Sequence, residues 1–164
     1  MVFHCERGFV KNKYILDLMA CEPSSSGVRV VNPKQTDTVI LAELMLDAYR
    51  DTIDWRDQTF DDSLAEVSSF FESQPLLENS LMALDENGCK SACLVMYLKK
   101  QAAPLIGYIM TADRAKRTGT ARCLLQEVLH QLKRDGHSRV LGGITAGNTP
   151  SENLFKSFGF QQIS

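Results

Sequence analysis

Residues 104–145 constrain the fold more than any other stretch. An apolar strand, PLIGYIMT, is followed by an amphipathic helix and then by a second apolar strand, RVLGGIT. A connection long enough to hold a helix suits a right-handed crossover between parallel strands, which a short hairpin cannot make. Leu124, Leu125, Val128, Leu129 and Leu132 fall on one face of the helix, and KRDG closes it with cations and a glycine. The segment therefore predicts a parallel strand pair with a helix laid across it.

The start of that helix carries the wrong charge. Arg114, Lys116, Arg117 and Arg122 crowd it, with Asp113 as the only carboxylate in DRAKRTGTARCLL. Helix N-termini present unpaired N–H groups and favour anions. A bound phosphate would turn the crowding into complementarity, because backbone donors and cations would converge on it. Gly119 lets a ligand approach the main chain, and Thr118, Thr120 and Ala121 are small enough not to obstruct it. Neither GxxxxGK[ST] nor GxGxxG is present. Alone, the stretch fits an ordinary helix start with solvated cations equally well.

The rest of the chain supplies a mixed sheet. KYILDLMAC (13–21) reads as a strand ended by EPSSSG, and VRVV (28–31) as a second. Helical spacing predicts one helix from Thr36 and another over 61–73, the latter through Leu64, Val67, Phe70 and Phe71. SLMALD and KSACLVMYLKK flank ENG, a hairpin whose turn is expected at Asn87-Gly88. Residues 92–98 are apolar on both faces and belong inside the sheet. Thr149-Pro150-Ser151-Glu152 predicts a capping box opening a short helix that ends at Gly159, with a stub of strand beyond. The order β-α-α-β-β-β-α-β-α implies helices on both sheet faces.

Composition narrows the function. A net charge of −2 argues against broad nucleic-acid binding, so an anion site must be local. Five cysteines, without a CxxC pair or histidine at ligand spacing, suit reduced thiols in a cytoplasmic protein and no metal site. No stretch suggests a signal peptide or a membrane span. His4, His130 and His137 read as surface or structural residues.

With LIGYIMT, ADRAKRTGTA and ITAGNTPSENLFKSFGF together in view, the chain resembles the GCN5-related N-acetyltransferase family. That family's cofactor motif, Arg/Gln-x-x-Gly-x-Gly/Ala, falls on Lys116 to Ala121. Its later motif of Asn, Ala, Tyr and Gly-Phe falls on Asn148, Ser151, Phe155 and Gly159-Phe160. The resemblance spans residues 27–160 and is specific from 104 onward. It implies a mixed, mostly antiparallel central sheet of about six to seven strands with helices on both faces. It also implies acetyl-CoA as acyl donor. The pyrophosphate would rest on Lys116, Arg117, Thr118, Gly119, Thr120, Ala121 and Arg122, with the pantetheine beside Ile109, Met110 and Thr111. The Met110 or Thr111 amide would polarise the thioester carbonyl. Asn148 would hydrogen-bond the pantetheine arm or the attacking face, and Phe155 would border it.

Two departures stand out. Lys116 keeps charge but loses bidentate geometry. Phe155 stands where many relatives keep a tyrosine that protonates the departing thiolate. A thiol of pKa about 8.5 leaves tolerably without that acid. Tyr108 and Ser151 are candidate substitutes, a strand-core tyrosine and a polar helix-start residue being the plain readings of the same positions.

Ten carboxylates lie between Asp37 and Glu72 against two arginines, a field suited to a cationic amine or simply to solvated helix faces. In AYRDTIDWRDQTFDD, Tyr49, Asp51, Asp54 and Trp55 are expected at the acceptor entrance, with Asp54 as base. Trp55 and Phe60 would line the pocket or fill the space between helices. Cys123 reads as core. The expected activity is acetyl transfer to a primary amine, small molecule or peptide, by direct attack in a ternary complex. The alternatives are a non-catalytic acyl-CoA sensor or an unrelated phosphate-binding module. No nucleic-acid or membrane partner is expected. Residues 1–26 read as an N-terminal extension and 27–164 as the transferase domain. The extension's residues 9–21 would supply a strand missing at the C-terminus, within the subunit or across a homodimer.

Overall fold

The computed structural model describes residues 10–20 and 28–163. Its strands are β1 (Lys11–Asp17), β2 (Val30–Val31), β3 (Leu81–Asp85), β4 (Gly88–Leu98), β5 (Ala103–Thr111), β6 (Arg139–Thr145) and β7 (Gln161–Ile163). The helices are α1 (Thr38–Tyr49), α2 (Phe60–Glu72), α3 (Thr120–Arg134) and α4 (Thr149–Ser157). They surround one seven-stranded sheet of order β2-β3-β4-β5-β6-β1-β7. Every neighbour pair is antiparallel except β5–β6, the pair joined through α3.

Local chemistry sets the element ends. Thr59 caps α2 reciprocally with Asp62: its hydroxyl accepts from Asp62 N–H, and the Asp62 carboxylate accepts from Thr59 N–H at 2.8 Å. The β3–β4 turn centres on Glu86 and Asn87, with Asp85 paired to Gly88, one residue earlier than the sequence suggests. Asp85 Oδ1 accepts from Asn87 N–H at 2.8 Å, so the turn closes through that side chain and the positive φ falls on Gly88. The cap of α4 is Asn148, whose side chain accepts from Ser151 N–H, and not Thr149.

Two cores sandwich the sheet. On one side α3 and α4 bury Leu124, Leu125, Val128, Leu132 and Phe155 against Val95, Ile106 and Val140. On the other, α1 and α2 bury Leu41, Met45, Val67 and Phe70 against Leu94 and Met110. β4 contributes Cys93 and Val95 to the first core and Ala92 and Leu94 to the second, which is why its run is apolar throughout. Cys123 is only half-buried.

β1 lies inside the sheet. It pairs with β6 from Lys11↔Thr145 to Asp17↔Arg139 and, along its other edge, with β7. Tyr14, Leu16 and Leu18 enter the α3–α4 core. Residues 1–9 and 21–26 of the N-terminal extension lie outside the described residues. Tyr14 is 1% exposed, and its hydroxyl has no partner among the described residues. A buried polar group left unpaired costs about 1–3 kcal/mol, so Tyr14→Phe is expected to leave stability unchanged or raise it. A fall in the denaturant midpoint would reveal a bond to that hydroxyl.

Candidate active site

The site forms where β5 and β6 part. Their pairing is limited to Leu105↔Leu141 and Ile106↔Gly142, yet the strands run on to Thr111 and Thr145. Ala112 N–H donates to Lys90 C=O at 2.9 Å, which sets the alternation along the β4 edge of β5. In an antiparallel ladder the residues two apart face the same neighbour. Met110, paired with Ala92, thus turns its amide toward β4, and its carbonyl accepts from Ser91 Oγ at 2.7 Å. Ile109 and Thr111 turn their amides toward the gap. Of the two amides expected to polarise a carbonyl, Met110 is therefore excluded by pleat geometry and Thr111 remains.

Below the gap, α3 starts at Gly119, whose φ is +80°. Arg117 is also left-handed, at +62°. The first intrahelical bond runs from Cys123 N–H to Gly119 C=O at 3.0 Å, so the amides of Thr120, Ala121 and Arg122 precede the helical ladder. An added Cβ at Gly119 would meet nothing within 4 Å. The hydroxyls of Thr118 and Thr120 bond each other at 2.8 Å, and Thr118 also bonds Ala115 C=O.

The cations around this loop have separate tasks. Arg114 is committed to Asp85 of the β3–β4 hairpin through both terminal guanidinium nitrogens, and the pairing holds the Asp85 carboxyl below its usual range. Lys116 pairs with Asp113 at 3.4 Å. Asp113 N–H in turn donates to Asp47 of α1 at 2.8 Å. Arg122 stacks over Phe158 and donates to Ser157. The loop is thus braced from two sides, and part of its positive charge serves the brace.

Above the gap opens a cleft of about 510 Å³ between α2, the strand ends and α4. Tyr49, Asp54, Tyr108, Ile109, Asn148, Ser151 and Phe155 line it, so seven expected site residues converge. Asp51 and Trp55 do not line it; Asp51 is exposed with φ +59°, and Trp55 Nε1 donates to Asp57 at 3.1 Å. Phe60 packs against the α1–α2 core. Asn148 Nδ2 donates to Asp54 Oδ2 at 2.8 Å, tying the α1–α2 loop to α4. Tyr108 donates its hydroxyl proton to Glu66 of α2. Burial first, then the Glu66 charge and this bond, push the Tyr108 phenol far above its usual range. Burial, Asp54 and Glu66 do the same to Tyr49. Phe155 is 4% exposed and covers Gly142.

Sequence reasoning missed Lys11, Ser63 and Glu66, which also line the cleft. Their signal was weak: Ser63 and Glu66 sit among the apolar positions of α2, and Lys11 arrives on a strand remote in sequence. Among the described residues no helix is long and apolar enough to cross a membrane, and no cluster suited to a metal ion occurs.

The divergent parallel pair, the left-handed glycine at the helix start and the flanking helices together define the fold of the GCN5-related N-acetyltransferases. Residues 88–164 match the model of the FR47-like protein family. A GCN5-related N-acetyltransferase from Sphaerobacter thermophilus superposes with a TM-score of 0.71 at 19% identity, over 95% of this chain. The chain spans only 50% of that protein's length. An N-acetyltransferase from Staphylococcus aureus gives 0.64 at 21% identity, covering 85% of this chain and 86% of that one. A ribosomal-protein-alanine N-acetyltransferase from Brucella melitensis gives 0.65 at 17%, covering 84% and 86%. No curated protein sequence matches the chain.

Proposed function

We propose that the chain is an N-acetyltransferase that moves an acetyl group from acetyl-CoA to a primary amine, small molecule or peptide, in a ternary complex. The observation that carries this reading is the early end of the β5–β6 pairing, which leaves backbone donors of β5 beside a cleft. A pantetheine arm carries amides that can pair with such an edge. The open space at Gly119 and the leading amides of α3 suit the pyrophosphate, with Lys116, Arg117 and Arg122 adding charge. The bound donor supplies an activated thioester. The chain would aim the Thr111 or Ile109 amide at the carbonyl oxygen, exclude water with Phe155, and offer carboxylates to the incoming ammonium. Asp54 and Glu66 are the carboxylates held in place there; Asp62 is engaged in capping α2.

Titration calorimetry with acetyl-CoA and thiol release with a panel of amines test the reading. Binding together with amine-dependent release is expected. Absence of acetyl-CoA binding would overturn it. Phe155, which has no proton to give a departing thiolate, favours one second reading: an acyl-CoA sensor that binds tightly without turnover.

A further inference from the structure

One end of the cleft holds polar groups in excess of what the fold needs. Ser63 and Glu66 stand one turn apart on α2, and both line the cleft. Ser63 is 2% exposed, and its hydroxyl has no hydrogen-bond partner among the described residues. A buried hydroxyl left unpaired is costly, so one kept in a cleft wall points to a ligand that completes it. Glu66 accepts a bond from Tyr108. Phe70 meets the Tyr108 ring edge-on at 6.4 Å and fixes it. Across the cleft Asp54 is held by Asn148, whose own oxygen caps α4.

We propose that Ser63, Glu66 and Asp54 seat the primary ammonium of the acceptor, and that Glu66 takes its proton. The inference rests on the transferase reading above. A primary ammonium has three N–H donors and no acceptor, which matches the three acceptors that Ser63, Glu66 and Asp54 bring to the cleft. Tyr108 is the positioning residue: its phenol stays protonated and holds the Glu66 carboxylate. Asp54 is a strut between the α1–α2 loop and α4, bound through Asn148, and contributes charge.

Glu66 takes one proton from the ammonium, and the freed nitrogen lone pair forms the C–N bond to the acetyl carbon. The C–S bond breaks with its electron pair on sulfur. The second nitrogen proton ends on that sulfur, giving amide and thiol, and Glu66 returns its proton to water.

The test uses the full chain, acetyl-CoA, and n-butylamine, 1,5-diaminopentane and tetra-alanine as acceptor probes. Thiol release is followed across pH. The titratable and charged groups that line the cleft with Glu66 are Tyr108 of β5, Tyr49 of α1, Asp54 and Arg56 of the α1–α2 loop, Asp62 of α2 and Lys11 of β1. Glu66→Gln is expected to lower kcat/KM about 100-fold and to erase the limb that rises as Glu66 ionises, with acetyl-CoA affinity kept. Ser63→Ala should raise KM for the amine while the thermal midpoint holds or rises. Tyr108→Phe should lower kcat while the amine KM and the thermal midpoint hold, since Glu66 loses the bond that positions it; a merely structural tyrosine would lower the midpoint and leave kcat in place. An N,N,N-trimethyl analogue of the probe should not compete. Near-wild-type turnover by Glu66→Gln, or loss of the limb in Asp54→Asn instead, overturns the inference and leaves the transferase reading standing. Acetyl-CoA binding without turnover on any probe overturns it in favour of the sensor. No acetyl-CoA binding overturns both.

Discussion

Gly142→Ala is expected to destabilise the chain by about 3 kcal/mol, because the new methyl group has no room. An added Cβ would lie 2.3 Å from Cε1 of Phe155 and 3.1 Å from its Cδ1. The ring cannot swing away. Its centroid is 4.5 Å from that of Phe160 and 6.2 Å from that of Tyr14, and the residue is 4% exposed. Close-packed interiors transmit such an insertion as off-rotamer strain. For a chain of this size each kcal/mol moves the thermal midpoint by roughly 2–4 °C, so a drop of order 10 °C is expected by calorimetry. Phe155→Leu should relieve part of the strain, and the double variant should be more stable than the sum of the single effects predicts. Strict additivity would show that the two positions do not press on each other. The same contact bears on function. Phe155 is held over a glycine as a wall of the cleft.

At Gly119 the expected loss is in ligand binding. Its φ of +80° strains any residue with a branched Cβ, while the space beside it is open. Gly119→Val should therefore cost about 1–3 kcal/mol of stability through the backbone and more than tenfold in acetyl-CoA affinity. Gly119→Asn separates the two effects, since asparagine tolerates the left-handed region far better. It should fold nearly as well as the parent and still bind acetyl-CoA weakly, because its side chain stands where the ligand must approach. Wild-type affinity in Gly119→Asn, measured by calorimetry, would mean that no ligand approaches the backbone there.

The positive charge at the start of α3 is divided among several partners. Counting residues put Arg114, Lys116, Arg117 and Arg122 in one cluster. The structure spends Arg114 on Asp85, Lys116 on Asp113, and Arg122 partly on Ser157 and Phe158. Only partners distant in sequence reveal that division. Met110 shows the same limit at finer scale. Its sequence neighbourhood made it a candidate donor, but the phase of the β4–β5 ladder decides which amides face the gap.

By itself the sequence determined what local physics can write. Apolar periodicity fixed the four helices and the long strands, the α3 crossover required a parallel pair, and Gly119 with its small neighbours marked an anion-compatible helix start. Tertiary structure alone decided where β1 enters the sheet, that β5 and β6 separate after two residue pairs, and that Ser63, Glu66, Tyr108 and Asp54 meet around one cleft. Periodicity tells each element which face to bury, but not which remote strand will pair with it. That choice is made by the whole sheet at once, when β1 lies between two strands from the far end of the chain.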